Sequence, residues 1–181
     1  MTNTIKLAIR NAKDSGKTYC VIRNWLTPSF TKEHLETFNA IEYLPNRSLD
    51  LVKDNDELNY FVNQCIEVYP EVKYRTYIIG QSEVDEVKAG PGTRLHRDPF
   101  DIVHWQCYGS AIWKIGNNAI GRPVQINPSG GTKWSASWTQ EPETITLNAG
   151  DIIWFSKGTW HETENIGKKF SIIFDAGTHK D

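Results

Sequence analysis

The sequence predicts a mainly β protein, an antiparallel sandwich or barrel behind N-terminal helices. Two observations predict it. From Tyr74 onward the chain breaks into short runs rich in Val, Ile, Thr and aromatic residues, punctuated by Gly, Pro and Asn, at the spacing of sandwich and barrel strands. Before that point two stretches carry apolar residues three and four apart, the period of a helix with one covered face.

In chain order, Lys17–Leu26 (KTYCVIRNWL) is β-branched and aromatic at its centre and reads as a strand, ended by Thr27-Pro28 because proline has no ladder donor. Ser29 or Thr31 caps a helix to about Tyr43, with Leu35, Phe38 and Ile41 on one face. Pro45–Ser48 is a loop signal. Asp54-x-x-Glu57 forms a capping box for a second helix, whose apolar face is Leu58, Phe61, Val62, Cys65 and Ile66, and Pro70 stops it. Strands then fall at 73–80, 93–98, 102–108, 110–115, 122–126, 143–147, 151–155 and 168–175. Asn127–Gly131 and Lys133–Pro142 read as loops. No repeat or linker divides the chain, so residues 1–181 read as a single domain: strand and helical cover in 1–72, barrel in 73–177, a short tail in 178–181.

Composition excludes several classes. At 181 residues the chain can bury a core without staples. Its net charge of −2 argues against nucleic-acid binding through a broad basic surface. No apolar run approaches the roughly 20 residues of a membrane span, and Met1–Asn11 lacks the order of a signal peptide. Cys20, Cys65 and Cys107 are an odd set without repeated spacing, so reduced thiols and a cytoplasmic location are expected. There is no P-loop, nucleophile elbow or dinucleotide fingerprint.

Of five histidines, His34 lies in a polar helical stretch and His179 in the tail. His96 and Asp98 are two apart where a strand runs into Pro99, so they project to one face. His161 follows the strand Asp151–Phe155 and a Ser-Lys-Gly-Thr turn, and a distant strand of an antiparallel barrel can bring it beside the first two. Two imidazoles and a carboxylate on one face of a metal leave positions open, the arrangement that suits non-haem Fe(II).

The spacing Gly150, Ser156, Gly158, His161, Asn165 resembles the second signature motif of the cupin superfamily, with Ser156 where that motif usually has proline. Leu95–Ile115 (LHRDPFDIVHWQCYGSAIWKI) resembles the metal-binding strand pair of JmjC-type oxygenases, with Gln106, Gly109 and Trp113 at the matching places. Ser171–Gly177 is similar to the strand after the third ligand. The resemblance implies a double-stranded β-helix, the cupin or jelly-roll barrel, holding Fe(II) through His96, Asp98 and His161 and using 2-oxoglutarate and O₂ to hydroxylate or demethylate a substrate. Gln106 and Asn165 are implied supports of the metal ligands.

The pattern departs at the 2-oxoglutarate carboxylate, which needs a cation or hydroxyls. Relatives carry Lys or Arg where this chain has Ala111, or an Arg where it has Ser171. Thr93, Ser171, Tyr77 and Arg75 are the substitutes considered, with Thr93 foremost, while Lys114 has the parity of an outward residue. His104 shares a face with Gln106. It reads as a hydrogen-bonded barrel histidine or as a residue beside the metal ligands or the substrate.

Three functions stay open: an Fe(II)/2-oxoglutarate oxygenase, a non-catalytic binding or assembly protein keeping a metal triad, and an enzyme using another divalent metal without 2-oxoglutarate. The substrate class is equally open among protein, nucleic acid and small molecule. The seven tryptophans divide into Trp105, Trp113, Trp154 and Trp160, expected to wall the site, and Trp134 and Trp138 in a loop that offers a lid or a protein-partner surface, with Trp25 near the first strand's end.

Overall fold

The computed structural model describes residues 3–29, 56–72, 74–81, 93–126, 132–167 and 169–177. The helix expected to 43, His34 and His179 lie outside them. The order is α1 (Thr4–Asp14), β1 (Tyr19–Ile22), α2 (Asp56–Val68), β2 (Tyr74–Gln81), β3 (His96–Arg97), β4 (Asp101–Tyr108), β5 (Ser110–Gly116), β6 (Ala119–Ile126), β7 (Thr132–Trp138), β8 (Glu143–Asn148), β9 (Ile152–Phe155), β10 (Trp160–Asn165) and β11 (Lys169–Ala176). One sheet runs β1-β9-β4-β11-β2, a second β3-β10-β5-β8, and β6-β7 form a two-stranded ribbon. All described pairings are antiparallel.

Strand alternation divides the apolar residues into two cores. Ile102, Ile153, Phe155 and Ile173 of the first sheet meet Ala111, Trp113, Ile115, Ile145 and Leu147 of the second, filling the space between the sheets. The opposite face of the first sheet, with Val103, Trp105, Cys107, Trp154, Phe170 and Phe174, packs under Ile5, Ile9 and Ala12 of α1 and Leu58, Phe61, Val62 and Cys65 of α2. The face expected for α2 is therefore the buried one.

Helix α1 is an addition to the sequence expectation. Asn3 caps it by accepting the Lys6 N–H at 2.9 Å, and its narrow stripe of three buried residues is masked by six polar or charged ones. The expected loop over Lys133–Pro142 is corrected: Thr132–Trp138 is a strand paired with β6. Its alternation of Trp134, Ala136 and Trp138 with Lys133, Ser135 and Ser137 has the strand period, but Ser and Ala are weak strand formers and a Gly-Gly pair precedes them. Pro123 is accommodated in β6 beside a register shift between Pro123 and Gln125.

All three cysteines are free thiols, and burial pushes Cys65 and Cys107 above their ordinary pKa. Among the described residues no helix is long and apolar enough to cross a membrane.

One buried charge ties the sheets to the first strand. Asp151 is 2% exposed, bonds Arg23 at 2.7 Å and accepts the N–H groups of Asn24 and Asn148 at 3.0 Å each. Burial raises its carboxyl pKa, but those two N–H groups and the guanidinium outweigh it and hold the group below the ordinary range. Asp151→Ala is expected to cost about 2 kcal/mol at pH 7, the effect of losing hydrogen bonds to a charged group and leaving two backbone N–H groups unpaired, measured by urea unfolding. A depressed folded-state pKa gives stability that is present above the unfolded value near 4 and lost as pH falls through the folded one. The gap between native and variant therefore closes in acid.

Candidate metal centre

β3 is two residues long and is positioned by β10: Trp160 pairs with Arg97 and His161 with His96. Directly opposed residues on antiparallel strands share a face, and the two imidazole centroids stand 4.2 Å apart. Asp98, two residues after His96, follows on the same side. Its backbone carbonyl accepts the Gly158 N–H at 2.8 Å. Gly158 has φ +81°, a left-handed conformation that glycine adopts without steric cost. The turn leading to His161 thus also fastens Asp98.

The carboxylate lies between the rings, with Oδ1 3.8 Å from His96 Nε2 and Oδ2 3.4 Å from His161 Nε2. All three ligand atoms fall within 4.8 Å of one another. His96 Nδ1 donates to the Arg94 carbonyl at 2.7 Å and His161 Nδ1 to the Thr159 carbonyl at 3.0 Å. A carbonyl only accepts, so each proton sits on Nδ1 and each Nε2 lone pair faces the centre. Burial, and then the neighbouring His96, push the His161 pKa down to about 3. Two neutral nitrogens and one carboxylate, with other positions open, fit a divalent ion of the Fe(II) type. Among the described residues no other group of three such side chains converges.

The centre is closed on one side and open on the other. The His161 side chain is 4% exposed, while those of His96 and Asp98 are 26% and 30%. Phe155 lies 4.3 Å from the His161 ring and Trp113 stacks on it at 5.7 Å. Trp113 alone of the expected wall lies over the ligand rings from within the barrel. Trp105 and Trp154 belong to the core beneath the helices, because each has the opposite strand parity to its inward neighbours His104 and Phe155. Trp160, next to His161 but facing away from the ligands, lies under the Arg97 guanidinium at 5.2 Å. Trp138 packs back over the second sheet, donating its indole N–H to Glu162 at 2.8 Å.

The residues expected to serve a 2-oxo acid separate. Gln106 and Ser171 meet inside the barrel, with the Ser171 hydroxyl donating to Gln106 Oε1 at 3.1 Å and the Gln106 amide to the Tyr108 carbonyl at 2.7 Å. Thr93 is exposed, with its hydroxyl 2.9 Å from that of Thr163, two residues after His161. Tyr77 lies opposite Ile173 in register and Arg75 opposite Asp175. Asn165 lies opposite Ala111 on β5. Lys114 is paired with Glu164 outside the barrel, as parity requires.

Two features differ from expectation. His104 is 4% exposed, and neither ring nitrogen has a hydrogen-bond partner. It is therefore not the satisfied barrel histidine of the simpler reading. The inward face of β4 offers it Ile102 and Gln106, and the facing Trp113 meets it edge-on at 4.8 Å. Lys169, passed over in the sequence, is 8% exposed at the start of β11. Its signal was available in the strand phase, since Lys169, Ser171 and Ile173 alternate with Phe170, Ile172 and Phe174.

Comparisons with known proteins give a family and a fold. A family profile described as JmjC domain matches residues 62–181. Among solved structures, YcfD, a ribosomal oxygenase from Escherichia coli in complex with cobalt and 2-oxoglutarate, aligns with 91% of this chain and 49% of its own, at 13% identity and a TM-score of 0.59. A cupin superfamily protein from Desulfitobacterium hafniense aligns with 59% of this chain and 69% of its own, at 8% identity and a TM-score of 0.39. This chain spans about half the length of YcfD, and the likeness at such identity is one of fold. No curated protein matches the sequence.

Proposed function

The chain belongs to the JmjC domain family, and from that membership we propose that it is an Fe(II)- and 2-oxo-acid-dependent oxygenase with His96, Asp98 and His161 as metal ligands. The observation that carries the reading is the aim of the donors: two Nε2 lone pairs and one carboxylate converge, and each imidazole is locked by a backbone carbonyl behind it. Bound there, Fe(II) would supply the oxidising chemistry, in which 2-oxoglutarate and O₂ give succinate and CO₂ while one oxygen atom enters a C–H bond of the substrate.

The protein's own part is positioning and shielding. His161, Phe155 and Trp113 close the inner side of the centre to water. His96 and Asp98 form the open rim, which supports a substrate presented from outside. The ribosomal oxygenase among the structural neighbours supports a protein side chain as that substrate.

The test is an anaerobic titration with Fe(II) and 2-oxoglutarate, followed by admission of O₂ with succinate release measured in parallel. Metal-dependent binding of the oxo acid and succinate formation are the expected results. A native chain that binds no divalent metal would refute the reading. A chain that binds metal but never turns over 2-oxoglutarate would point to the binding or assembly role.

A further inference from the structure

Two side chains inside the barrel lack the partners their burial demands, and a cation lies on the same strand face as their neighbours. The Trp113 indole N–H and both His104 ring nitrogens are buried without a hydrogen bond. Lys169, 8% exposed, makes no hydrogen bond or ion pair among the described residues. A partly desolvated ammonium without a counter-charge is costly, and each buried polar group left unpaired beside it calls for a partner.

Strand alternation turns all three toward the space between the sheets. Ile102, His104 and Gln106 line the inward face of β4, and the Ser171–Gln106 bond fixes β11 with Ser171 facing the same interior. Phe170 faces the helices, so alternation returns Lys169 to the inward side. Phe170 pairs with Tyr108, which brings Lys169 to the barrel end where β4 turns through Gly109 into Ser110 and the buried methyl group of Ala111. The side chains facing it there, His104, Gln106 and Ser171, carry no negative charge. Asp175, the carboxylate on its own strand face, is six residues on, about 20 Å at the strand rise. Burial lowers the Lys169 pKa to about 8, and its charge is felt at His104. From His104 the contacts run edge-on to Trp113 and by stacking to His161.

A largely buried cation, on a face that runs by way of His104 and Trp113 to the metal centre, has no counter-anion among the described residues. We propose that Lys169, with His104 as second donor, binds the free carboxylate of the 2-oxo acid whose other end chelates the metal. The inference rests on the oxygenase reading and assigns its co-substrate as a dicarboxylate. It moves the counter-charge from β5, where Ala111 stands, to β11.

The experiment uses the full chain loaded with Co(II) or Mn(II), which makes binding measurable without turnover. Calorimetric titration compares 2-oxoglutarate with 2-oxopentanoate, a 2-oxo acid of the same chain length without the second carboxylate. The native protein is expected to prefer 2-oxoglutarate by about 10- to 100-fold, the range of a hydrogen bond to a charged group. Lys169→Met is expected to erase the preference while leaving 2-oxopentanoate affinity unchanged, and Lys169→Arg to restore part of it. Methionine replaces the ammonium with an apolar group of similar length, a change that buried sites tolerate. A Lys169→Met protein that still discriminates overturns the proposal. So does a native protein that binds both acids equally, though the metal reading then survives. A native protein that binds metal and neither acid overturns the proposal together with the use of a 2-oxo acid.

Discussion

Asp98→Ala is expected to weaken binding of Fe(II) or Co(II) by more than about 100-fold, beyond the upper end of what loss of an outer partner costs a metal site. Of the three proposed ligands the carboxylate alone is anionic, it stands between the two Nε2 atoms, and it would neutralise half of the charge of a divalent ion. Removing it leaves two imidazoles, one held by a two-residue strand. Being 30% exposed, Asp98 contributes about 1 kcal/mol or less to the metal-free fold. Calorimetric metal titration and melting in a chelator separate the two effects: affinity collapses and the metal-free melting temperature holds. Unchanged affinity in Asp98→Ala would remove it from the ligand set.

Trp105→Ala is expected to destabilise the fold by about 3–5 kcal/mol, the range for truncating a buried aromatic residue, with the metal ligands untouched. Trp105 is 0% exposed. Its indole N–H donates to the Leu26 carbonyl at 3.0 Å, its ring meets Trp25 edge-on at 5.3 Å, and Phe61 of α2 lies at 5.4 Å. It thus joins β4, the segment after β1 and α2 in one contact set. Truncation leaves a cavity at the junction and an unpaired carbonyl. Chemical denaturation should show a lower midpoint, and metal affinity measured well below the transition should match the native protein. A loss below about 1 kcal/mol would mean that the helical cover is held elsewhere.

The triad was legible because its chemistry is compressed into local patterns. His96 and Asp98 share parity within one tripeptide, and His161 follows a strand and a glycine turn that the sequence marks with Gly158. Strand identity was legible where β-branched and aromatic residues together are concentrated, as in β4, β9 and β11. β7 was not, because its strand period is carried by two tryptophans among small residues, and α1 was not, because three buried side chains are too few to stand out among charges. The tryptophans were assigned as one group, and only Trp113 of the four expected to wall the site stands over it, because composition carries no direction. Parity sends Trp105 and Trp154 to one face and Trp113 to the other, and parity needs the exact strand frame. Lys169 shows the same limit: it falls in the run expected as a strand over 168–175, and only the frame set by Phe170 and Ser171 turns it inward.

The pairing of His96 with His161 has a consequence for how the chain is tethered. The two residues are 65 positions apart, and the described cysteines are all unlinked. An ion bridging the two imidazoles closes a loop of that size, which in a covalent cross-link removes unfolded-chain entropy worth about 4 kcal/mol. The metal centre would then act as a removable rivet, fastening the two-residue β3 edge to the second sheet and letting it go when the ion leaves.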